Sequence, residues 1–382
     1  MKQYFQEEHY MLQDMVRDFA ANEVAPIAEA MDREERFPEE LIPKLAELGL
    51  LGIPFPEKYG GADMDTMAYT LVIEELAKVD SSVAITVAAH ISLGTTPIFL
   101  FGSDAQKEMH LENLISGKYL ACFGLTEPEA GSDASGTKTT AVKDGDEWII
   151  NGSKNFITNA AFSGVCNLTA VTDSDAKRPG GISVFMVKPE TPGFIIGPPE
   201  KKMGWRGSDT RALTFENMRV PDDALLGELH IGFKQMTTAL VGGRISVAAL
   251  SLGLAEGALE AALKYSDERE AFGKKIHRFQ GIGLEMADIA TEIEAARHLV
   301  YHASYVKDNG GDVVKAAAMA KLKASEIAVR ATNFAVQVHG GYGYIKEFQV
   351  ERFFRDAKVL TIGEGTSEVQ KLVILKRLLK GL

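Results

Sequence analysis

Glu147-Trp-Ile-Ile-Asn151, Gly181-Ile-Ser-Val-Phe-Met-Val187 and Arg211-Ala-Leu-Thr-Phe215 decide the architecture. Each is a short run of β-branched and aromatic residues bounded by turn formers. Together they interrupt a chain whose apolar residues otherwise recur every three or four positions. Lys143-Asp-Gly-Asp146 reads as a hairpin turn between two such runs, and Pro189, Pro192, Pro198 and Pro199 punctuate the rest. Residues 119–228 are therefore expected to form a central β domain, a barrel or sandwich of short strands. Before it, residues 1–118 read as an α-helical domain. Leu12, Met15, Val16 and Phe19 share one helical face, as do Leu41, Leu45 and Leu48 before Gly49. Pro54, Pro56, Gly60 and Gly61 force a loop, after which helical runs return near 64–79, 82–92 and 104–116. After it, residues 229–382 carry four long helical periods, about 232–267, 278–309, 312–338 and 367–380, which close most simply as a four-helix bundle. The fold class expected is α+β, mainly α, in the order helices, strands, helices.

Composition narrows the function. The 382 residues are 46% hydrophobic and 25% charged, the mix of a folded globular chain. Lys and Arg number 41 against 53 Asp and Glu, a net charge of −12, which has the wrong sign for a nucleic-acid or anionic-membrane binder. Only Cys122 and Cys166 are present, far apart and without CxxC or HExxH, so neither a metal site nor a disulfide framework is expected. The N-terminus alternates charged and apolar residues and does not read as a signal peptide. The longest apolar stretch, Ile245 to Ala255, is too short to span a bilayer, so no membrane insertion is expected.

Four segments carry chemistry, each beside a plainer reading. Gly124-Leu-Thr-Glu-Pro-Glu-Ala-Gly-Ser-Asp133 offers Thr126, Gly131, Ser132 and backbone N–H groups to a phosphate or polar ring edge; a domain connection of turn formers is the alternative. Lys154-Asn-Phe-Ile-Thr-Asn159 can set Phe156 against a flat ligand with Thr158 at its edge, unless Phe156 simply packs in the core. Arg269-Glu-Ala-Phe-Gly-Lys-Lys-Ile-His-Arg-Phe-Gln280 concentrates positive charge suited to an anion, or is a solvated loop. In Thr361-Ile-Gly-Glu-Gly-Thr-Ser-Glu-Val-Gln370, Ser367 and Gln370 suggest a capping box opening the last helix. Glu364, between two glycines, is then either a carboxylate stabilised by the helix dipole or a general base that substrate can approach closely.

Taken together, L-T-E-P-x-A-G-S-D, K-x-F-I-T-N, R-x-x-F-G, Q-V-H-G-G-Y-G and E-G-T-S-E, in this order and over essentially the whole chain, resemble the acyl-CoA dehydrogenase family. The resemblance implies FAD bound without a Rossmann motif. It matches Phe123, Leu125, Thr126, Gly131 and Ser132 to the loop around the flavin and its pyrophosphate, and Phe156 and Thr158 to the aromatic and hydroxyl beside the isoalloxazine. Arg269, Phe272 and Gln280, with Gln337, Gly340 and Gly341, match a segment that a neighbouring subunit lends to the adenylate half, and Thr366 and Glu368 match further cofactor contacts. Ser132, Phe233, Arg244 and Gly365 are implied substrate-binding positions, with Arg244 supporting the base. Glu364 matches the catalytic base. Some branches place that carboxylate at the position of Gly243, where this chain has glycine.

The activity implied is α,β-dehydrogenation of an acyl-CoA thioester. Glu364 would take the α-proton and an electron-transfer flavoprotein would receive the electrons, in a cytoplasmic homotetramer or in the mitochondrial matrix for a processed eukaryotic chain. Burial is expected to raise the pKa of Glu364 against the helix dipole. Gly363, where relatives often carry tyrosine, and Val241, where many carry aspartate, suggest a short, branched or cyclic acyl group. The alternatives are an acyl-CoA oxidase or flavin monooxygenase, and a non-catalytic scaffold of the same fold.

Overall fold

The computed structural model describes residues 4–380. The N-terminal unit contains α1 (Glu7–Phe19), α2 (Ala25–Glu34), α3 (Leu41–Glu47), α4 (Thr66–Val79), α5 (Ser81–Ala89), α6 (Thr96–Phe101) and α7 (Asp104–Ile115). Short polar side chains start several of them. Asp65 accepts from the Ala68 N–H at 2.8 Å, Asp80 from Ser82 and Val83 at 2.9 and 3.0 Å, and Ser103 with Gln106 makes a reciprocal capping pair. Each such cap is worth about 1 kcal/mol. Leu48 ends α3, and Gly49 at φ 71° turns the chain away. A π-helical turn, His90–Thr95, joins α5 to α6.

Strands β1 (Leu120–Gly124), β2 (Thr140–Asp144), β3 (Glu147–Thr158), β4 (Ser163–Val171), β5 (Ile182–Val187), β6 (Phe194–Pro199) and β7 (Thr210–Pro221) form one half-barrel sheet. The order is β1-β4-β2-β3-β7-β6, with β5 on β4. The three runs that open the sequence argument fall on β3, β5 and β7. Asp144 pairs with Glu147 across the expected hairpin, where Gly145 has φ 59°. Trp148, Ile150, Leu168, Phe185, Leu213 and Phe215 build a core separate from the helical one, with Trp148 edge-on to Phe185 at 5.4 Å.

The C-terminal unit holds α8 (Gly232–Glu268), the hairpin β8 (Glu270–Ala271) and β9 (Lys274–Lys275), α9 (Gln280–Asn309), α10 (Val313–His339), α11 (Val350–Leu360) and α12 (Ser367–Leu379). The four expected helices are present. Two features differ from expectation. Residues 269–280 fold as the hairpin and a 3-10 turn because Ile276 is buried and its N–H bonds the Arg269 carbonyl at 3.0 Å. Helix α11 is additional, and it ties the three units together. Arg355 grips Asp32 of α2 through both guanidinium nitrogens at 2.6 and 2.8 Å, and Asp356 accepts the Trp205 N–H at 2.7 Å.

Helix α8 packs against α4 through Gly253 and Gly257. A Cβ at these positions would lie 2.1 Å from the Glu74 carbonyl oxygen and 2.4 Å from that of Lys78, so only glycine permits this backbone approach. Residues Ser81–Phe101 and Gly232–Glu268 are long and apolar enough to cross a membrane by length and composition, yet 78% of each apolar window is buried inside this protein. Their hydrophobicity is used by the core.

Candidate active site

Glu364 sits in the turn between α11 and α12 with φ 55°, beside Gly365 at φ 91°. A left-handed conformation at a non-glycine residue costs on the order of 1 kcal/mol and needs surroundings that enforce it. Three side chains do so by gripping the turn's carbonyl oxygens. Gln370 donates its amide to the Glu364 and Gly365 carbonyls at 3.0 and 2.9 Å, Lys321 of α10 donates to Gly365 at 2.8 Å, and Arg244 of α8 reaches the Glu364 carbonyl at 3.4 Å. The cap of α12 is Thr366, whose hydroxyl accepts the Val369 N–H at 3.2 Å. The expected capping box on Ser367 and Gln370 is therefore corrected. The left-handed Gly365 brings Thr366 into the cap position, and Gln370 is drawn back onto the turn.

The carboxylate itself is left free. Glu364 Oε2 is shielded from solvent and has no hydrogen-bond partner among the described residues. The room it occupies exists because residue 243 is glycine, since a Cβ there would lie 2.7 Å from Oε2. Burial pushes the carboxyl up to about 7, against the opposing pull of Arg244 and Lys321. Burial in turn lowers Lys321 to about 8 and also lowers Arg244, with Glu364 resisting both shifts. A shielded carboxylate poised near neutrality, with an unengaged oxygen, is equipped to take a proton from carbon. The plain helix-dipole reading of Glu364 does not account for the shielding or for the upward shift.

A second cluster lies on the β domain. Phe123 is buried in β1, while Leu125 and Thr126 are half-buried and Gly131 and Ser132 are exposed. Phe156 is 66% exposed at φ 61°, which excludes the core-packing alternative, and Thr158 stands two residues on, opposite Thr210. The two loops are joined by the Asn155 N–H bond to the Thr126 carbonyl at 2.8 Å. Beneath them, Lys154 is fully buried and donates to Glu127 at 2.7 Å, Thr169 at 2.9 Å, Thr137 at 3.0 Å and the Leu125 carbonyl at 3.3 Å. Lys154 and the surrounding donors hold Glu127 down at about 2, and burial lowers Lys154 to about 8, so both are charged at neutral pH.

The third cluster is at the far end of the helical unit. Arg269 lies over the Tyr342 ring at 5.9 Å, and with Gly340 and Gly341 they line a cavity of about 510 Å³. Gln280 and Gln337 are exposed beside it, and Phe272 is 95% exposed on a left-handed backbone. Glu368 is exposed in the first turn of α12, and Phe233 is half-buried in the first turn of α8. Phe156 and Phe272 are large aromatics standing clear of the chain, each available to a flat cofactor. Open space beside Gly131, Gly340 and Gly341 leaves room for backbone approach to its phosphates and adenine. These observations fit FAD. Nothing in the sequence points to a role for Lys321, Lys154 or Glu127, and Gln370 is expected there in a capping box, not on the turn's carbonyls. For Lys321, Lys154 and Glu127 the only local signal is residue type, because each acts on a partner supplied by folding.

Sequence profiles of the acyl-CoA dehydrogenase N-terminal, middle and C-terminal domains match residues 6–118, 122–218 and 230–379. The probable acyl-CoA dehydrogenase YngJ of Bacillus subtilis is 50% identical over 98% of both chains. The butyryl-CoA dehydrogenase of Megasphaera elsdenii is 44% identical with a TM-score of 0.96, covering 98% of this chain and 99% of that one. A chain in a structure described as the electron transferring flavoprotein of Acidaminococcus fermentans is 47% identical, also with a TM-score of 0.96 and the same coverage. This chain belongs to the acyl-CoA dehydrogenase family and is an FAD-dependent oxidoreductase acting on acyl-CoA thioesters.

Proposed function

We propose that the protein removes hydrogen from the α and β carbons of a short, branched or cyclic acyl-CoA, with Glu364 as the base. The observation that carries this reading is the carboxylate described above: shielded, unpartnered at Oε2 and raised to about 7. Its oxygen accepts the α-proton. Arg244 and Lys321 balance the negative charge without bonding to the carboxylate. Among the described residues the Glu364 N–H has no protein acceptor, which leaves it free to bond the thioester oxygen and stabilise the developing enolate, a contribution of roughly 3–4 kcal/mol per donor. FAD, when bound, supplies the acceptor for the hydride that leaves the β-carbon. Phe156 and Thr158 would face its ring, Thr126, Gly131 and Ser132 its phosphates, and Arg269, Phe272, Gln280, Gln337, Gly340 and Gly341 of a neighbouring subunit its adenylate half.

A short substrate is supported by the likeness to a butyryl-CoA dehydrogenase. An electron-transfer flavoprotein as acceptor is supported by the likeness to a chain in a structure so described. A homotetramer is supported by exposed apolar residues on α12, Leu372, Leu375, Leu378 and Leu379, together with Phe272. The cytoplasm is the expected location. The direct test is Glu364→Gln in the flavin-loaded enzyme. Flavin content should be unchanged, and anaerobic bleaching by butyryl-CoA should fall at least about 1,000-fold, in the range expected when an essential proton acceptor is lost. Near-normal bleaching rules out Glu364 as the base. Peroxide formation in place of reduction of an electron-transfer flavoprotein would identify an oxidase.

A further inference from the structure

Lys321 is 0% exposed, yet among the described residues its partner is a backbone carbonyl and not a carboxylate. Its one hydrogen bond among the described residues is to the carbonyl of Gly365, 44 residues away. Burying an ammonium in this way is unfavourable unless the site uses the charge. The site in question is Glu364. The charged and titratable groups facing its carboxylate are Arg244 from α8, Lys321 from α10 and the buried Tyr69 phenol from α4. Glu368 of α12 and Arg244 also face Lys321 itself.

Neither cation bonds the carboxylate oxygens. Both instead bond backbone carbonyls of the same turn. A direct ion pair would occupy the lone pair that must receive the proton and would hold the carboxyl far down its range. Binding the adjacent carbonyl places positive charge nearby while leaving that lone pair open. Gln370 shares the hold on the turn, since it spans both carbonyls, but it brings no charge.

We propose that Lys321 is a positioning residue for the base: its ammonium anchors the Gly365 carbonyl, which holds Glu364 in its left-handed turn, and balances the buried carboxylate's charge without bonding to it. The inference rests on Glu364 being the base and adds the device that keeps it both ionisable and unengaged. A nearby opposite charge lowers a carboxyl by about one to three units, so loss of one of two cations should raise the midpoint by about one unit.

The test uses the flavin-loaded oligomer with Lys321→Met and Lys321→Arg. Single-turnover flavin reduction by butyryl-CoA is followed from pH 5.5 to 9.5. In Lys321→Met the acidic midpoint should move up by about one unit, with the rate at pH 7 down about fivefold and recovering at pH 9.5. Recovery at high pH is a signature that a merely distorted turn would not give. Lys321→Arg should keep the wild-type midpoint. Hydrogen exchange read by mass spectrometry on peptides covering 361–370 should be faster in Lys321→Met and near wild type in Lys321→Arg. If Lys321→Met does not assemble, Lys321→Gln carries the same two measurements. An unmoved midpoint together with unchanged exchange in a folded neutral variant overturns the proposal. Glu364→Gln run in parallel separates the two failures. If that variant still bleaches, the base assignment falls. If it is silent while Lys321→Met matches wild type, only the role of Lys321 falls.

Discussion

Gly243→Ala should damage the reaction while leaving the fold intact or firmer. The added methyl would lie 2.7 Å from Glu364 Oε2, 3.1 Å from its carboxyl carbon and 3.3 Å from a Leu93 methyl of the π-helical turn. Helix α8 is regular here and its backbone can accept alanine, whose interior helix propensity exceeds that of glycine by roughly 0.5–1 kcal/mol. The yielding group is therefore the carboxylate at the end of a flexible side chain. Ordinary contact begins near 3.4 Å, so Oε2 must retreat by about 0.7 Å, in a proton transfer where a misplacement near 1 Å can cost about 100-fold. The turn carbonyls remain held by Gln370 and Lys321, so the backbone cannot follow the carboxylate. Flavin content and thermal midpoint should be equal to or above wild type, and single-turnover flavin reduction by butyryl-CoA should fall about 10- to 100-fold. A variant that reduces its flavin at the wild-type rate would refute the claim that glycine at 243 exists to house the base. A variant that loses both flavin and stability would refute the claim that the strain falls on the side chain.

Two further outcomes can be checked on the same material. Lys154→Met removes the donor beneath the flavin-side loops. Glu127 keeps the Thr137 hydroxyl and the Lys138 and Thr139 N–H groups, so the loss should lie at the lower end of the 3–5 kcal/mol expected for a broken buried pair, read by urea unfolding, with flavin retained less tightly on dilution. Asp356 is raised to about 7, first by burial and then by the nearby charge of Asp80. A carboxyl raised on folding contributes stability that is complete below its unfolded value near 3.8 and is lost as pH climbs through about 7. Asp356→Asn retains an acceptor for the Trp205 N–H, so its stability should fall less between pH 4 and 8 than that of wild type, by up to roughly 4 kcal/mol in urea titrations at the two pH values. An identical pH dependence in the two proteins would contradict this account.

The sequence by itself determined what local periodicity and residue type can encode. Runs such as Ile182–Val187 are too short and too rich in β-branched and aromatic residues for a helix, and the three- and four-residue repeats on either side are too regular for strands, so the order of units was legible. Glu364 stood out as a candidate because glycines flank it on both sides before a helix, while the choice between a capped carboxylate and a base came from the family resemblance. Helix α11 carries Val350, Phe353, Ala357 and Leu360 at clear helical spacing, but it is only 11 residues long and lies between two glycine-rich segments, so it reads as part of the breaks around it. Only the tertiary structure decided what surrounds the Glu364 carboxylate. Lys321 lies 44 residues from its carbonyl partner and Arg244 lies 120 from Glu364, and nothing in the spacing of either residue distinguishes it from other charged residues on long helices. A lysine's role depends on whether water or a carbonyl surrounds its ammonium, and this is settled when α8, α10 and the turn before α12 are packed together. The same holds for Lys154, whose four acceptors come from strand β4 and from the connection between β1 and β2. Hydrophobic periodicity fixes which face of an element turns inward, whereas the charge, burial and hydrogen bonding of a reactive group are properties of the neighbours that folding brings to it.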